Sequence, residues 1–389
     1  VGAGPGGAVL ALLLTRQGLN VTLLEAQWDF DRDFRGDALS PAVMEIMAEM
    51  GLAEDLLKLR HARIQRLSVQ TARGPVTLSD FSRLKTAFPY MTVLPQARFL
   101  EHITAEAARF PGFRLILGAN VQGLLERDGR VCGVRYRSRN GWHEVEAPLT
   151  VGADGRASRV RHLAGFETVS SAPPMDVLWF RLPRHASDPE SANLSVRFGR
   201  GFYLALIDCF DHWKISYVIP KGTFAQVKEA GLTAFQQTIA EAEPLFADRL
   251  EAIASWGSVS VLSVGSSRVL RWFSPGLLLI GDAAHVMSSV GGVGIQCAIQ
   301  DAVVAAAVLQ GPLLKGTVDS TDLAAVQRRR EWPTRLTQAI QAIGQRQVIA
   351  RALDPDRAFS VPVSLRLPLV RDLATRFTAF GVWPVHVRA

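Results

Sequence analysis

Gly2-Ala3-Gly4-Pro5-Gly6-Gly7, followed without a breaker by Ala8 to Gln17 and then by Leu19-Asn20-Val21-Thr22-Leu23-Leu24-Glu25, is the stretch that decides the fold. It reads as Gly-x-Gly-x-x-Gly at a strand end, an apolar helix that Gly18 terminates, and a second strand closing on an acid. The glycines permit a tight turn and close approach of backbone to a pyrophosphate, which the helix N-terminus then faces. Glu25 is placed to bind ribose hydroxyls, and an acid there disfavours a 2′-phosphate. The tightly held nucleotide is therefore expected to be FAD or NAD rather than NADP. Because Val1 falls in the middle of an expected strand, a few native residues are expected ahead of it.

A second stretch repeats the strand-to-helix logic. Leu277 to Ile280, behind the turn Pro275-Gly276, is a short buried strand, and Cys297 to Leu309 is an unbroken apolar helix. Between them lie Gly281-Asp282 and Gly291-Gly292-Val293-Gly294-Ile295. This places an acid at a strand's carboxyl end and bare backbone N–H groups at a helix start. The third such strand end is Leu149 to Gly152 followed by Ala153-Asp154-Gly155, with a short Arg-rich helix, Ser158 to Leu163, after it.

Composition bounds the rest. A length of 389 residues suffices for two or three structural units with a sizeable core. Hydrophobic residues make up 48%, yet no uncharged apolar run reaches the roughly 18 residues of a membrane span, and no secretory signal opens the chain. The net charge is +7, but only six of the 43 basic residues are Lys and the Arg residues form no stripe, which argues against nucleic acid as a partner. Cys132, Cys209 and Cys297 show no paired spacing and are odd in number, so a reducing cytoplasm is expected and no disulfide framework. The eight His show no metal-ligand spacing, and no metal site is expected.

Ser40-Pro41 opens a helix to Met50, with Arg35-Gly36-Asp37 upstream; Arg35 suits a returning contact to a pyrophosphate. Leu67 to Thr71 and Val76 to Leu78 read as a hairpin, and Ala97 to Phe110 as a helix that begins with Arg98. Leu115 to Leu117 is expected to pair with Val121 to Leu125, and Val131 to Arg137 with Trp142 to Val145, as an antiparallel meander on the nucleotide sheet. Strands at 177–182, 194–198, 202–207 and 213–219 precede helices at 223–229 and 235–248, then a strand pair at 259–264 and 269–272. The aromatics Trp179, Phe180, Phe202, Tyr203, Trp213 and Tyr217 are expected mainly to fill a core, with one or two lining a ligand pocket. Residues 321–350 read as mostly helical. The apolar stretch 367–380 is expected to pack on the first domain or a partner subunit rather than lie on a membrane.

Taken together and in this order, Gly2 to Gly7 with Glu25, Ala153-Asp154-Gly155, and Gly281-Asp282 resemble the single-component flavoprotein aromatic hydroxylases, the para-hydroxybenzoate hydroxylase family of FAD monooxygenases. The resemblance implies an α/β architecture. A Rossmann-like FAD-binding domain, mainly parallel with a meander, would comprise residues 1–66, 97–172 and 265–340. An α+β substrate domain would comprise 67–96 and 173–264, with a helical segment at 341–389. It implies FAD contacts from Gly2, Gly4, Pro5, Gly6, Gly7, Glu25, Arg35, Arg98, Gly281, Asp282 and Gly291 to Ile295, with Asp154 and Gly155 serving both FAD and a visiting NAD(P)H. FAD would be held tightly and non-covalently. NAD(P)H would be the transient reductant, and oxygen from O₂ would reach an aromatic or polycyclic small molecule through a flavin hydroperoxide.

Two positions depart from the family pattern: Ser289 and Gln296 stand near the reactive flavin edge where Pro and Asn are usual. No side chain is assigned as catalytic, because the flavin carries the chemistry. Arg181 and Arg197 are candidate anchors for substrate. The competing readings are a halogenase or reductase on the same fold and a degenerate FAD-binding relative. Ile215 and Tyr217 replace the two Trp of the halogenases' W-x-W-x-I-P. Substrate, oligomeric state and the choice of NADH or NADPH are not legible.

Overall fold

Strands with Leu, Ile and Val at successive positions need cover on both faces, and the main core of this chain is built that way. The computed structural model describes residues 1–31, 37–71, 73–189, 193–356 and 359–387, without the side chains of Ser364 and Arg366. Val21–Glu25 pairs in parallel with Phe113–Leu117, and Thr150–Gly152 in parallel with Leu277–Leu279, whose edge is covered by antiparallel Phe273–Ser274. Residues 1–3 join the two halves. The Gly2 N–H donates to the Leu24 carbonyl at 2.7 Å, and Ala153 N–H donates to Val1 O at 2.7 Å. Leu277 to Ile280 are wholly buried there. The helix Pro5–Arg16 packs against both Gln96–Ala107 and Gly294–Leu314 in this core.

Phe113–Leu117 thus belongs to the parallel layer, not to a pair with the strand after it. The meander consists of Asn120–Arg127, Arg130–Ser138 and Gly141–Glu146. Its first turn has Asp128 and Gly129 both at positive φ, 53° and 72°, the primed geometry that matches strand twist.

The second sheet has seven strands, in the order Ser260–Ser263, Met175–Pro183, His212–Pro220, Tyr203–Asp208, Asn193–Phe198, Arg66–Thr71, Gly74–Asp80. Ser260–Ser263 joins its edge beside Met175–Pro183, whereas Ser266–Val269 pairs elsewhere, with Thr168–Ser171 and His285–Val286. The expected pairing of 259–264 with 269–272 is therefore not formed. One sheet face carries Leu178, Phe180, Phe202, Trp213 and Tyr217 under the helix Leu232–Ala242. That helix ends earlier than expected because Pro244 forces Glu243 to extended backbone, φ −143°. The opposite face carries Val177, Trp179, Tyr203 and Val218, and there meets Val290, Ile349 and Leu353.

The last third of the chain binds these layers together. Ser320–Gly344 continues through a π-helical turn, Gln345–Ile349, into Ala350–Ala352. Phe359, Val361 and Leu365 lie against Val69, Val196 and Tyr203 of the second sheet. The helix Pro368–Phe380 docks beside Gly74–Asp80, with Thr375 Oγ1 accepting the Asp80 N–H at 3.2 Å. The same helix also meets the first core, as expected, packing against Pro41–Glu49 and accepting Gln300 Nε2 at Phe380 O, and the tail continues there, where Val387 N–H donates to Glu49. The stretch Val290–Leu314 is long and apolar enough to cross a membrane, but 67% of its most apolar window is buried inside the protein. It is a core helix.

Candidate active site

The three glycine-bearing strand ends meet at one place. A Cβ on Gly7 would fall 2.0 Å from the Gly2 carbonyl oxygen, so only glycine allows the first turn to close. A Cβ on Gly6 or on Gly281 would lie 3.0 Å from Ala298, which ties the first and third strand ends to the first turns of Gly294–Leu314. Gly4, Gly155, Gly292 and Gly294 behave differently: a Cβ on any of them would meet nothing within 4 Å. They leave backbone bare toward open space. Pro5–Arg16 starts at Gly4 and Gly294–Leu314 at Val293, and neither has a side-chain cap or an acid in its first turn. Their leading N–H groups and positive helix ends are thus available to an anion.

The acids are held by backbone. Glu25 is buried, with Oε2 accepting Ala3 N–H at 2.9 Å and Oε1 accepting Gln27 N–H at 3.0 Å. Asp154 accepts from Ser158 Oγ at 2.5 Å and from Val160 N–H at 3.0 Å, and so caps the short helix Arg159–Leu163. Asp282 sits half-buried in the turn Gly281–Ala283. Arg161 joins the last two elements, donating to the Asp282 and Ala283 carbonyls at 3.3 and 2.9 Å and to Arg156 O at 2.6 Å.

Beneath Asp282 lies a buried ionic group that reading the sequence missed. Asp301 Oδ2 accepts from Gly281 N–H at 2.9 Å and faces His285 Nε2 at 2.6 Å, while Oδ1 accepts from Arg330 Nε at 2.7 Å. Burial pushes the Asp301 carboxyl up, but His285 and Arg330 outweigh it and hold it below its ordinary value. The available signal was a lone acid inside an apolar helix, since a fully buried carboxylate must be paired.

Ser289, Gly291 and Gly292 are exposed on the loop. Gln296 is 2% exposed, and neither of its amide atoms has a hydrogen-bond partner. It lies under the end of Pro368–Phe380, close against Gly381. Arg98 pairs with Glu101 at 2.9 Å on an exposed helix face. Arg35 falls outside the described residues. Arg197 is turned away from the loop, to the helical side of the second sheet, and pairs with Glu243 at 2.8 Å; it cannot anchor a ligand beside Ser289. Arg181 is exposed. Of the six aromatics, Phe180, Phe202, Trp213 and Tyr217 are core, and Trp179 and Tyr203 are on the face that meets Val290. The Tyr203 phenol is pushed upward by burial alone and stays protonated. Lys214 on the same sheet is buried, ion-paired with Asp37, and its ammonium lies 5.1 Å from the Trp179 ring centre.

Bare backbone at Gly4, Gly155, Gly292 and Gly294, two helix N-termini without side-chain caps, and the strand-end acids Glu25 and Asp282 together fit the pyrophosphate and polyol of a flavin dinucleotide. Comparisons with known proteins agree. A family model described as "FAD binding domain" matches residues 1–339. A 6-methylpretetramide 4-monooxygenase of Streptomyces rimosus is 31% identical over 100% of this chain and 93% of its own length. A rifampicin monooxygenase of Streptomyces venezuelae is 28% identical over 78% of this chain and 61% of its own length. Among solved structures, PqsL of P. aeruginosa in complex with 2-aminobenzoylacetate shares the fold at TM-score 0.75 and 20% identity, covering 91% of this chain and 96% of that one. The anhydrotetracycline hydroxylase OxyS from Streptomyces rimosus does so at TM-score 0.74 and 23% identity, covering 97% of this chain and 74% of that one. A flavin-dependent brominase, Bmp2, shares the fold too, at 15% identity. NAD(P)H is the reductant typical of the family. The chain belongs to the FAD-binding domain family and is an FAD-dependent monooxygenase.

Proposed function

We propose that this monooxygenase hydroxylates a polycyclic aromatic small molecule held between the loop 288–292 and the face of the second sheet that carries Trp179 and Tyr203. The observation that carries this reading is that face: apolar and aromatic side chains of a separate sheet close on Val290, directly beside the glycine-rich loop. In this reading the two layers divide the work. Residues 1–66, 97–172 and 265–340 hold the cofactor, and 67–96 with 173–264 hold the substrate.

Gly4, Gly6 and Gly7 would receive the FAD pyrophosphate, Glu25 the adenosine ribose, Asp282 the ribityl chain, and Gly291 to Ile295 the ring system. When bound, the flavin supplies hydride acceptance from NAD(P)H and the activation of O₂. The chain's own residues do the remainder. The N-terminus of Gly294–Leu314 favours negative charge at its end. The sheet face, with Ile349 and Leu353 over it, excludes water from the reacting centre. Asp154 and Gly155 border the entry of the reductant. The aromatic substrate is supported by the similarity to a 6-methylpretetramide 4-monooxygenase and to PqsL, solved with 2-aminobenzoylacetate.

The test is consumption of NAD(P)H by the FAD-loaded protein with a panel of polycyclic phenols, and isotope from labelled O₂ appearing in the product. A flavin-loaded protein that consumes no O₂ with either reductant and every phenol contradicts the reading.

A further inference from the structure

A helix on the surface of a globular protein ordinarily turns its apolar stripe to the core and its polar side to water. From Gln327 onward, Ser320–Gly344 does the reverse. Apart from Pro333, the residues it buries there are Gln327, Arg330, Thr334, Thr337, Gln338 and Gln341. Polar contacts hold that side in place. Arg330 pairs with Asp301, Gln338 Nε2 donates to Ser267 O and Val286 O, and Gln341 Nε2 donates to the carbonyls of Ser288 and Val290.

The outward side carries the large apolar residues. Trp332 is 58% exposed, Ile340 38% and Ile343 56%, and Leu336 lies half-buried between them. Steps of four, four and three residues keep these side chains on one stripe. Arg328 and Arg335, two turns apart, border one edge of it, and Arg329 stands at its N-terminal end, all three exposed. Arg346 and Arg351 are exposed beyond its other end. The one acid between Gln327 and Leu353 is Glu331, which lies 3.6 Å from Arg335. Interleaved in the sequence, these residues are sorted by the helical turn into an apolar stripe framed by positive charge. Large apolar side chains grouped on an exposed face mark an interaction surface.

Two features choose what covers it. The apolar stripe is one helix wide and offers on the order of a few hundred Å², below the roughly 800 Å² per partner of a stable protein interface. Two copies of this face joined about a two-fold axis would also set arginines against arginines. An anionic bilayer takes both parts of the face. Trp332, Ile340 and Ile343 enter the boundary between headgroups and acyl chains, and the arginines beside them meet lipid phosphates. We infer that the outward face of Ser320–Gly344 docks this protein reversibly on an anionic lipid surface. Because the inner face of the same helix holds the loop at Ser288 and Val290, docking sets that loop about one helix diameter, roughly 10 Å, from the lipid.

The test is co-sedimentation of the FAD-loaded full chain with vesicles of phosphatidylcholine alone or of equimolar phosphatidylcholine and phosphatidylglycerol. The native protein is expected to bind the mixed vesicles at least about tenfold more tightly, and added salt should weaken that binding. Trp332→Ser with Ile343→Ser and, separately, Arg328→Gln with Arg335→Gln should each lower the partition constant by about tenfold or more. Both pairs should leave Tm and flavin content unchanged, because the replaced side chains are exposed. Trp142, 56% exposed on the meander beside Arg135, supplies the matched control, and Trp142→Ser should bind as the native protein does. No binding to either vesicle, equal binding to both, binding that both double variants retain, or an equal loss in Trp142→Ser overturns the assignment. So does a dimer, seen by light scattering, that Trp332→Ser with Ile343→Ser dissociates, since the face would then belong to a second copy.

Discussion

The Gly281 N–H donates to Asp301 Oδ2 at 2.9 Å, so an acid of the core helix holds the backbone on which Asp282 stands. The same carboxylate takes Arg330 on its other oxygen, and all three side chains of the group, His285 included, are at most 1% exposed.

Asp301→Asn leaves the Arg330 guanidinium buried without its counter-charge. Breaking one side of a buried pair costs about 3–5 kcal/mol. Urea unfolding should show that loss, and FAD absorbance per chain should fall with it as the 281–285 backbone loosens. Replacing both partners, Asp301→Leu with Arg330→Met, should recover much of the stability, since apolar substitution of a whole pair is often near neutral. Failure of the single variant to change the urea midpoint contradicts the assigned role.

Acid should act through two buried carboxyls. Burial pushes both Asp301 and Asp188 up, but their partners win: His285 and Arg330 for Asp301, and Arg249, Trp213 and the His185 amide for Asp188. Both therefore titrate below the ordinary carboxylate value of about 4. A depressed folded value gives stability that is complete above the unfolded value and lost as pH falls through the folded one. The contribution of these groups to Tm should hold from neutral pH to about pH 4 and decline below it. Asp188→Asn should flatten part of that decline, and a melt series over acid pH reads it directly.

Two glycines six residues or fewer from the chain's start separate folding from binding. Gly7→Ala puts a Cβ 2.0 Å from the Gly2 carbonyl, and should yield protein that is unfolded or devoid of flavin. Gly4→Ala meets nothing in the protein within 4 Å, so its apoprotein should melt as the native one does. Its FAD affinity should nonetheless fall by about tenfold or more, because the new methyl occupies the path of close backbone approach. Equal FAD affinity in Gly4→Ala and native chain contradicts a cofactor at this turn.

Gly381 ends the helix Pro368–Phe380 at φ 74°, and a Cβ there would lie 2.5 Å from Gln296 Nε2. Gly381→Ala should cost about 1–3 kcal/mol through backbone strain, with the clash added. Combining it with Gln296→Ala should recover the clash but not the strain. Thermal melts of the single and double variants separate the two; equal Tm values for native and Gly381→Ala contradict the packing.

Much of this architecture is legible along the chain, because its signals are local. The glycine fingerprint, the helix start at Ser40-Pro41 and the alternation of Met175–Pro183 each follow from steric and periodic rules acting over a few residues. The alternation even separates Trp179 from Phe180 before any fold is seen. It does not say which face meets the loop. Phe113–Leu117 looks like the first arm of a hairpin, yet it lies beside Val21–Glu25, and nothing in its five residues distinguishes the two partners. Likewise Asp301, Gln338 and Gln341 read as one acid and two amides inside helices. Their partners, Gly281, Val286 and Val290, stand 20, 52 and 51 residues away. Residue order specified the elements and the bare-backbone turns, since φ, ψ and side-chain periodicity are local. Only tertiary packing decided which polar group meets which, because burial turns a distant donor into the one available partner.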